Sequence, residues 1–212
     1  MTLDPKEPPE FGEINFSLPM APVSQQAASA AKQKLVDEAR RITSPLEYIL
    51  DGEVQIEIQW FIHERFRWET DASPDVDNIL KPLLDGLCGD KGILIDDCQV
   101  QSVLASWIDW TRDDQLLDIR IRFSPDDYLT KAGLSFVRLK DALCFPVPAE
   151  IRQKGLKIWL DAIEGAIDAR QKIADLTESY YPARYVLPHG LIHRSRIKGF
   201  PVYEIAELRK LQ

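Results

Sequence analysis

The 212-residue chain is poor in several residue types and patterns, and each shortage removes a class of function. Its three cysteines, Cys88, Cys98 and Cys144, are odd in number, widely spaced and include no CxxC pair. That argues against a disulfide framework or a cysteine-ligated zinc site and favours a reducing cytoplasm. Of its three histidines, His189 and His193 stand at i, i+4. Pro188 and Gly190 oppose a regular helix there, and no carboxylate or cysteine completes a zinc set. No apolar run approaches the length of a membrane span, and the acidic, proline-containing start lacks a signal-peptide pattern, so a cytoplasmic protein with no membrane partner is expected. There is no internal repeat, no glycine-rich phosphate loop and no Gly-x-Ser-x-Gly elbow, which removes nucleotide-driven and serine-hydrolase readings. Positive charge is also in deficit: 26 Lys and Arg against 34 Asp and Glu give a net charge of −8. A chain of this charge that binds phosphate must concentrate its cations locally.

What is present is an ordinary globular composition, 45% hydrophobic and 28% charged, at a length that holds one good-sized core with an extension. The most informative stretch runs from Pro74 to Asp97, PDVDNILKPLLDGLCGDKGILIDD. Leu80, Leu83, Leu84 and Leu87 recur at i, i+3, i+4 and i+7 and predict a helix with one apolar stripe. Asp77, Lys81 and Asp85 stack along a second stripe at i, i+4, i+8. Pro74, Asp75 and Asp77 suit the helix start. Pro82 argues for a late start near Asp77 or Asn78, or for a kink, and Gly86 and Gly89 let the chain leave the helix. Ile93, Leu94 and Ile95 then read as a buried extended segment ending at Asp96 and Asp97. Carboxylates converging from both segments repel one another unless a cation is present, and Mg²⁺ suits such oxygen donors. Taken singly, the same residues also read as helix caps, an i+4 ion pair and turn formers.

The order Asp75-Val76-Asp77-Asn78, Lys81, Asp85-Gly86-Leu87, Asp96-Asp97-Cys98-Gln99-Val100 resembles the RusA family of Holliday-junction resolvases, whose pattern is D-x-D-N-x-x-K-x-x-x-D-x-L, a short spacer and D-D-x-Q-V. The resemblance implies a homodimeric, Mg²⁺-dependent endonuclease, with Mn²⁺ as a substitute metal, whose branched-DNA partner is the four-way junction that it nicks. It places Asp75, Asp77 and Asp97 at the metal-binding carboxylates and Lys81 at a catalytic lysine. Asn78, Asp85 and Asp96 match further pattern positions and would support the metal site from behind.

Along the rest of the chain, residues 1–10 read as a mobile tail and residues 11–125 as the nuclease-like domain. Ile14, Phe16 and Leu18 alternate as a first strand. LPMAPVSQQ loosely resembles the proline-containing segment that follows it in the family, with Gln25 or Gln26 where asparagine is more usual. Residues 27–42 favour helix. Residues 52–63 alternate as a half-buried strand, Gln99 to Trp110 and Leu116 to Phe123 are two more, and TRDDQ is a hairpin connection between those two. The run from His63 to Trp68, if extended, puts Arg65 and Arg67 on one face and Phe66 and Trp68 on the other. It offers either phosphate and stacking contacts to DNA or core aromatics with snorkelling arginines.

The expected fold is α+β, a mixed sheet with flanking helices, followed from residue 126 by a C-terminal extension. That extension would hold one or two strands between Leu134 and Val147, one long helix from Glu150 to about Thr177, and a basic terminal segment. Ile151, Ile158, Leu160, Ile163, Ile167, Ile173 and Leu176 are available for the long helix's packing stripe. The terminal cations, Arg194, Arg196 and Lys198 among them, suit either DNA or a protein partner. Three functions are compatible with these residues: a junction resolvase, a nuclease of the same chemistry on other branched DNA, and a non-catalytic interaction module with a structural metal.

Overall fold

In the computed structural model, which describes residues 3–70, 76–186 and 190–210, strand alternation builds the first layer of the fold. Asp75 lies outside the described residues, as does His189, and of Asp77 only the backbone is described. The chain divides into two compact units, Met1–Lys131 and Ala132–Gln212.

The first unit runs β1 (Glu13–Leu18), α1 (Ser29–Thr43), β2 (Tyr48–Leu50), β3 (Val54–Ile62), α2 (Glu64–Trp68), α3 (Val76–Leu87), a 3₁₀ turn (Asp97–Gln99), β4 (Val100–Asp109), β5 (Leu116–Phe123) and β6 (Tyr128–Thr130). Its main sheet has the order β1-β5-β3-β4, antiparallel except for the parallel pair β3 and β4. Val54, Ile56, Ile58, Trp60 and Ile62 of β3 are buried, as are Leu117, Ile119 and Ile121 of β5 and Ile14, Phe16 and Leu18 of β1. Because successive strand residues point to opposite faces, Glu57, Gln59, Asp118 and Arg120 share the other face.

That order overturns the expected hairpin. β4 and β5 are not neighbours; β3 lies between them, paired at Trp60 with Trp107 on one side and Leu117 on the other. The segment from β3 through α2 and α3 is a crossover, which lets β4 run parallel to β3, whereas a tight hairpin can only make an antiparallel pair. Trp60 and Trp107 stack with ring centres 4.1 Å apart, so side-chain packing supports the parallel register. The run from His63 to Trp68 is likewise not extended. His63 caps α2, its Nδ1 accepting from the Arg65 N–H, and this local bond starts a turn of helix.

Two more expectations are corrected in detail. The buried positions of α3 are Ile79, Pro82, Leu83, Gly86 and Leu87, with Leu80 and Leu84 only partly buried, so the stripe is turned by about one residue. Close approach to α1 explains this: a Cβ on Gly86 would lie 3.3 Å from the Ala39 Cβ. Pro82 sits inside α3 rather than in its first turn. It denies the Asn78 carbonyl its usual helical donor, and that carbonyl accepts instead from the Gln25 N–H at 2.8 Å. Satisfying the orphaned acceptor from outside lets the helix tolerate an interior proline, and it ties the segment after β1 to the acidic helix.

The second unit contains β7 (Ser135–Arg138), β8 (Leu143–Val147), α4 (Ala149–Lys154), α5 (Leu156–Thr177), α6 (Tyr180–Ala183), β9 (Ile192–His193), β10 (Val202–Glu204) and α7 (Ile205–Arg209). Its sheet has the order β10-β7-β8-β9, and a core of Val137, Val147, Leu156, Leu160 and Leu208 packs against it. The single long helix expected from Glu150 is broken at Gly155, whose φ of −144° leaves the helical region. The break resets the packing stripe. Leu156, Leu160, Ile167 and Ala174 are buried, whereas Ile158 and Leu176 stand in solvent. Among the described residues, no helix is long and apolar enough to cross a membrane.

Candidate active site

The two halves of the acidic motif are held by different devices that meet at Lys81. The first half rides on α3, where positions 77, 81 and 85 follow one another turn by turn. Asn78 is pinned twice: its carbonyl takes the Gln25 N–H, and its side-chain oxygen accepts from Gln26 Nε2 at 3.3 Å.

The second half is carried by the segment after α3. Gly89, with φ of +92°, turns the chain back at the helix end. The Leu87 carbonyl, orphaned by helix termination, accepts from both Ile93 N–H and Leu94 N–H at 2.8 and 3.0 Å. Leu50 N–H donates to the Ile93 carbonyl at 2.9 Å, which fixes the segment against β2. Ile93, Leu94 and Ile95 are all buried, as the sequence predicts, and Leu94 makes isolated bridges to Leu50 and Cys88. Asp96 is buried and caps the 3₁₀ turn, accepting from the Cys98 N–H at 3.0 Å.

Gln99 braces this turn, a role that its place in the sequence pattern leaves unstated. Its Oε1 accepts from Ile95 N–H at 2.8 Å and Asp96 N–H at 3.1 Å. Its Nε2 donates to the carbonyls of Leu50 and Gly52, both at 2.9 Å. All four hydrogen-bonding sites of a buried amide are therefore used, and the turn that presents Asp97 is bolted to the end of β2. The available signal was a polar residue between a turn and a strand, a position whose side chain must find partners if it is buried.

Lys81 closes the two halves. Its Nζ donates to Asp97 Oδ2 at 2.7 Å and to Asp85 Oδ1 at 2.9 Å. The bond donated to Asp97, then that donated to Asp85, hold the ammonium well above the ordinary lysine pKa, outweighing the opposing effect of burial. Lys81 and Asp97, 16 positions apart in the chain, are thus in direct contact, and Asp85 shares the same ammonium. The structure brings together Lys81, Asp85 and Asp97, with Asp96 directly behind Asp97 in the chain and position 77 one turn before Lys81 on α3.

Among the described residues, no group of three or more His, Cys, Asp or Glu side chains is arranged to hold a metal ion. Asp75 and the Asp77 side chain are outside that description. The donor set nevertheless fits a hard divalent cation. Its candidates are carboxylates alone, and Asp97 is about a quarter exposed, so its oxygens can share a cation with water.

Arg65 and Arg67 lie in α2, just after β3, in a ring of aromatic and acidic contacts. Arg65 stands over Phe66 at 5.0 Å and pairs with Asp113. Arg67 stands 4.6 Å from Trp68 and 4.9 Å from Trp107 and pairs with Asp109. Trp68 is 71% exposed. Arg194 and Arg196 bound a 3₁₀ turn of the second unit, capped by His193, and Lys198 follows it.

A family model described as Endodeoxyribonuclease RusA matches residues 15–122, from the middle of β1 to the end of β5. No curated protein matches the chain.

Proposed function

Because the chain belongs to the RusA endodeoxyribonuclease family, we propose that it is a metal-dependent, structure-selective nuclease that resolves four-way DNA junctions. The observation that carries this reading is the convergence of α3 and the Asp97 turn on Lys81. That convergence turns a sequence pattern into a localised acidic and cationic site.

In this proposal Asp75, Asp77 and Asp97 hold Mg²⁺, with Mn²⁺ as a substitute. Held there, the metal would supply the acidity that activates a water and the charge that offsets the leaving oxygen of a phosphodiester. Lys81 acts as a fixed positive charge beside the scissile phosphate, where it stabilises the charge that builds up during in-line attack. Asp85 keeps the ammonium in place, while Asp96 and Gln99 hold the backbone that aims Asp97. Asn78, pinned by the Gln25 segment, fixes the start of α3. Arg65, Arg67 and the exposed Trp68 offer phosphate and stacking contacts close in the chain to Asp75. Two copies related by a two-fold axis would make paired nicks across a junction in the cytoplasm.

Cleavage of a labelled four-way junction beside linear duplex and flap DNA tests this. Paired nicks on the junction, abolished by EDTA and by Asp77→Asn, are the expected result. Junction binding without cutting in either Mg²⁺ or Mn²⁺ would refute the catalytic assignment, and cutting of flaps alone would change the substrate.

A further inference from the structure

The first unit carries 13 Lys and Arg against 25 Asp and Glu, a formal charge of −12, and the second carries 13 against 9, a charge of +4. From Ser179 to Tyr203 there are Arg184, Arg194, Arg196 and Lys198 and no carboxylate. The same stretch opens with three tyrosines that the fold keeps in solvent. Tyr180, Tyr181 and Tyr185 are 62%, 66% and 77% exposed.

Local structure enforces that exposure. Glu178 ends α5 in the left-handed conformation, with φ of 51°. Ser179 then caps α6, its Oγ accepting from the Tyr181 N–H at 3.2 Å. α6 packs on α5 and its buried residue is Ala183. With Ala183 turned inward, the helix cannot bury its tyrosines. Arg184 stands 3.9 Å from the Tyr181 ring centre and 4.8 Å from that of Tyr185, and it donates to the Tyr185 hydroxyl at 2.8 Å. Arg170 of α5 lies 5.4 Å from Tyr180. Among the described residues, the contacts of Arg184 are thus aromatic rather than acidic, so its charge is not neutralised by a carboxylate. The result is a cluster of ring faces with two guanidinium groups on the basic unit of an acidic protein.

We infer that this face, centred on Tyr181, Arg184 and Tyr185, binds unpaired nucleotides, with bases stacked on the tyrosine rings and backbone phosphate held by Arg184. Ring faces accept any base, and a guanidinium beside them supplies the phosphate contact, which is the chemistry of sequence-tolerant single-strand binding. The −12 unit repels DNA at long range, so a cationic stacking face elsewhere on the chain supplies affinity that the catalytic unit lacks. The choice of DNA over a protein partner rests on the nuclease reading above.

Anisotropy of a fluorescein-labelled oligothymidylate, titrated with the full-length protein in EDTA, tests the inference. Tyr181→Leu and Tyr185→Leu are expected to weaken binding by about tenfold to a hundredfold, while Tyr181→Phe and Tyr185→Phe keep it, because stacking needs the ring and not the hydroxyl. Arg184→Gln is expected to weaken binding and lower the salt slope by about one. Wild-type protein that ignores the oligonucleotide, leucine variants that bind like wild type, or phenylalanine variants that fail like leucine would each overturn the inference. So would leucine variants whose only change is a smaller particle on size-exclusion chromatography, which would make the face a contact between copies. Junction cleavage in Mg²⁺ by the same proteins separates the two readings. Cleavage with no tyrosine-dependent oligonucleotide binding leaves the nuclease and removes this face. Ring-dependent binding without cleavage does the reverse.

Discussion

Replacing Gln99 by leucine keeps the volume of the side chain and removes only its hydrogen bonds, so its cost can be worked out group by group. Two N–H groups, of Ile95 and Asp96, and two carbonyls, of Leu50 and Gly52, lose their partner. A buried polar group left unpaired costs about 1–3 kcal/mol. The Gly52 carbonyl is only partly buried and can turn to water, which leaves three groups and a loss of about 3–9 kcal/mol. That is a large part of the roughly 5–15 kcal/mol that holds a domain folded. Gln99→Glu is the sharper probe. An ionised carboxylate still accepts from both N–H groups but faces two carbonyl oxygens with no proton to offer. A protonated one can donate to one of them. Its folded pKa is therefore raised above the unfolded value, so the variant's stability is present below the unfolded pKa and lost as pH rises through the folded one. Urea denaturation at pH 5 and pH 8 should show Gln99→Glu falling away from wild type at the higher pH. Gln99→Leu should be weakened at both. If the brace also aims Asp97, the fraction of either variant that stays folded should cut more slowly with little change in KM. A Gln99→Leu protein within about 1 kcal/mol of wild type, or a Gln99→Glu protein with wild-type pH dependence, would refute the reasoning.

Burial first, then the neighbouring Asp127 carboxylate, push Asp51 up to about 6. Wild type therefore binds a proton in the folded state between about pH 4 and 6 that the unfolded state releases, and its stability declines across that window as pH rises. Asp51→Asn should gain about 2 kcal/mol at pH 8, after allowing for solvent screening at a partly exposed site, with the gain vanishing towards pH 4 in urea melts. Lys81→Met should lower cleavage at saturating Mg²⁺ by about a hundredfold or more while reducing the Mg²⁺ needed for half-maximal rate, because Asp97 no longer shares its charge with an ammonium. Asp85→Asn should do the opposite to the metal requirement, since Lys81 then leans on Asp97 alone; a Mg²⁺ titration in which both variants shift the same way would contradict the geometry.

The elements and the site were legible in the sequence to different depths because they depend on different ranges of interaction. β1, β3 and β5 announce themselves by alternation, since the period of a strand's burial is a local property, and Ile14, Ile58 and Ile119 sit in the core where that alternation puts them. Which strand lies beside which is not local. TRDDQ has the length and polarity of a hairpin loop, and only the parallel pairing of β3 with β4, backed by the Trp60 and Trp107 stack, shows that it passes over β3 instead. The acidic pattern located Lys81 and Asp97 by residue type, yet their contact across 16 positions depends on how the chain turns at Gly89 and is held by Gln99. Gln25 is harder still to read. Its contribution is a backbone N–H, which every residue but proline possesses, and it matters only because Pro82, more than 50 positions away, leaves the Asn78 carbonyl open. Tyr180, Tyr181 and Tyr185 reverse the usual rule, since aromatic residues in a short run are read as core. The exposure of Tyr180 and Tyr181 follows from Ala183 taking the inward position of a four-residue helix, a choice of face that so short an element cannot signal through periodicity, and Tyr185 lies in the 3₁₀ turn Arg184–Val186 that follows and buries none of its residues. Where a side chain's role is fixed by a partner distant in sequence, residue type narrows the chemistry and only the fold assigns the work.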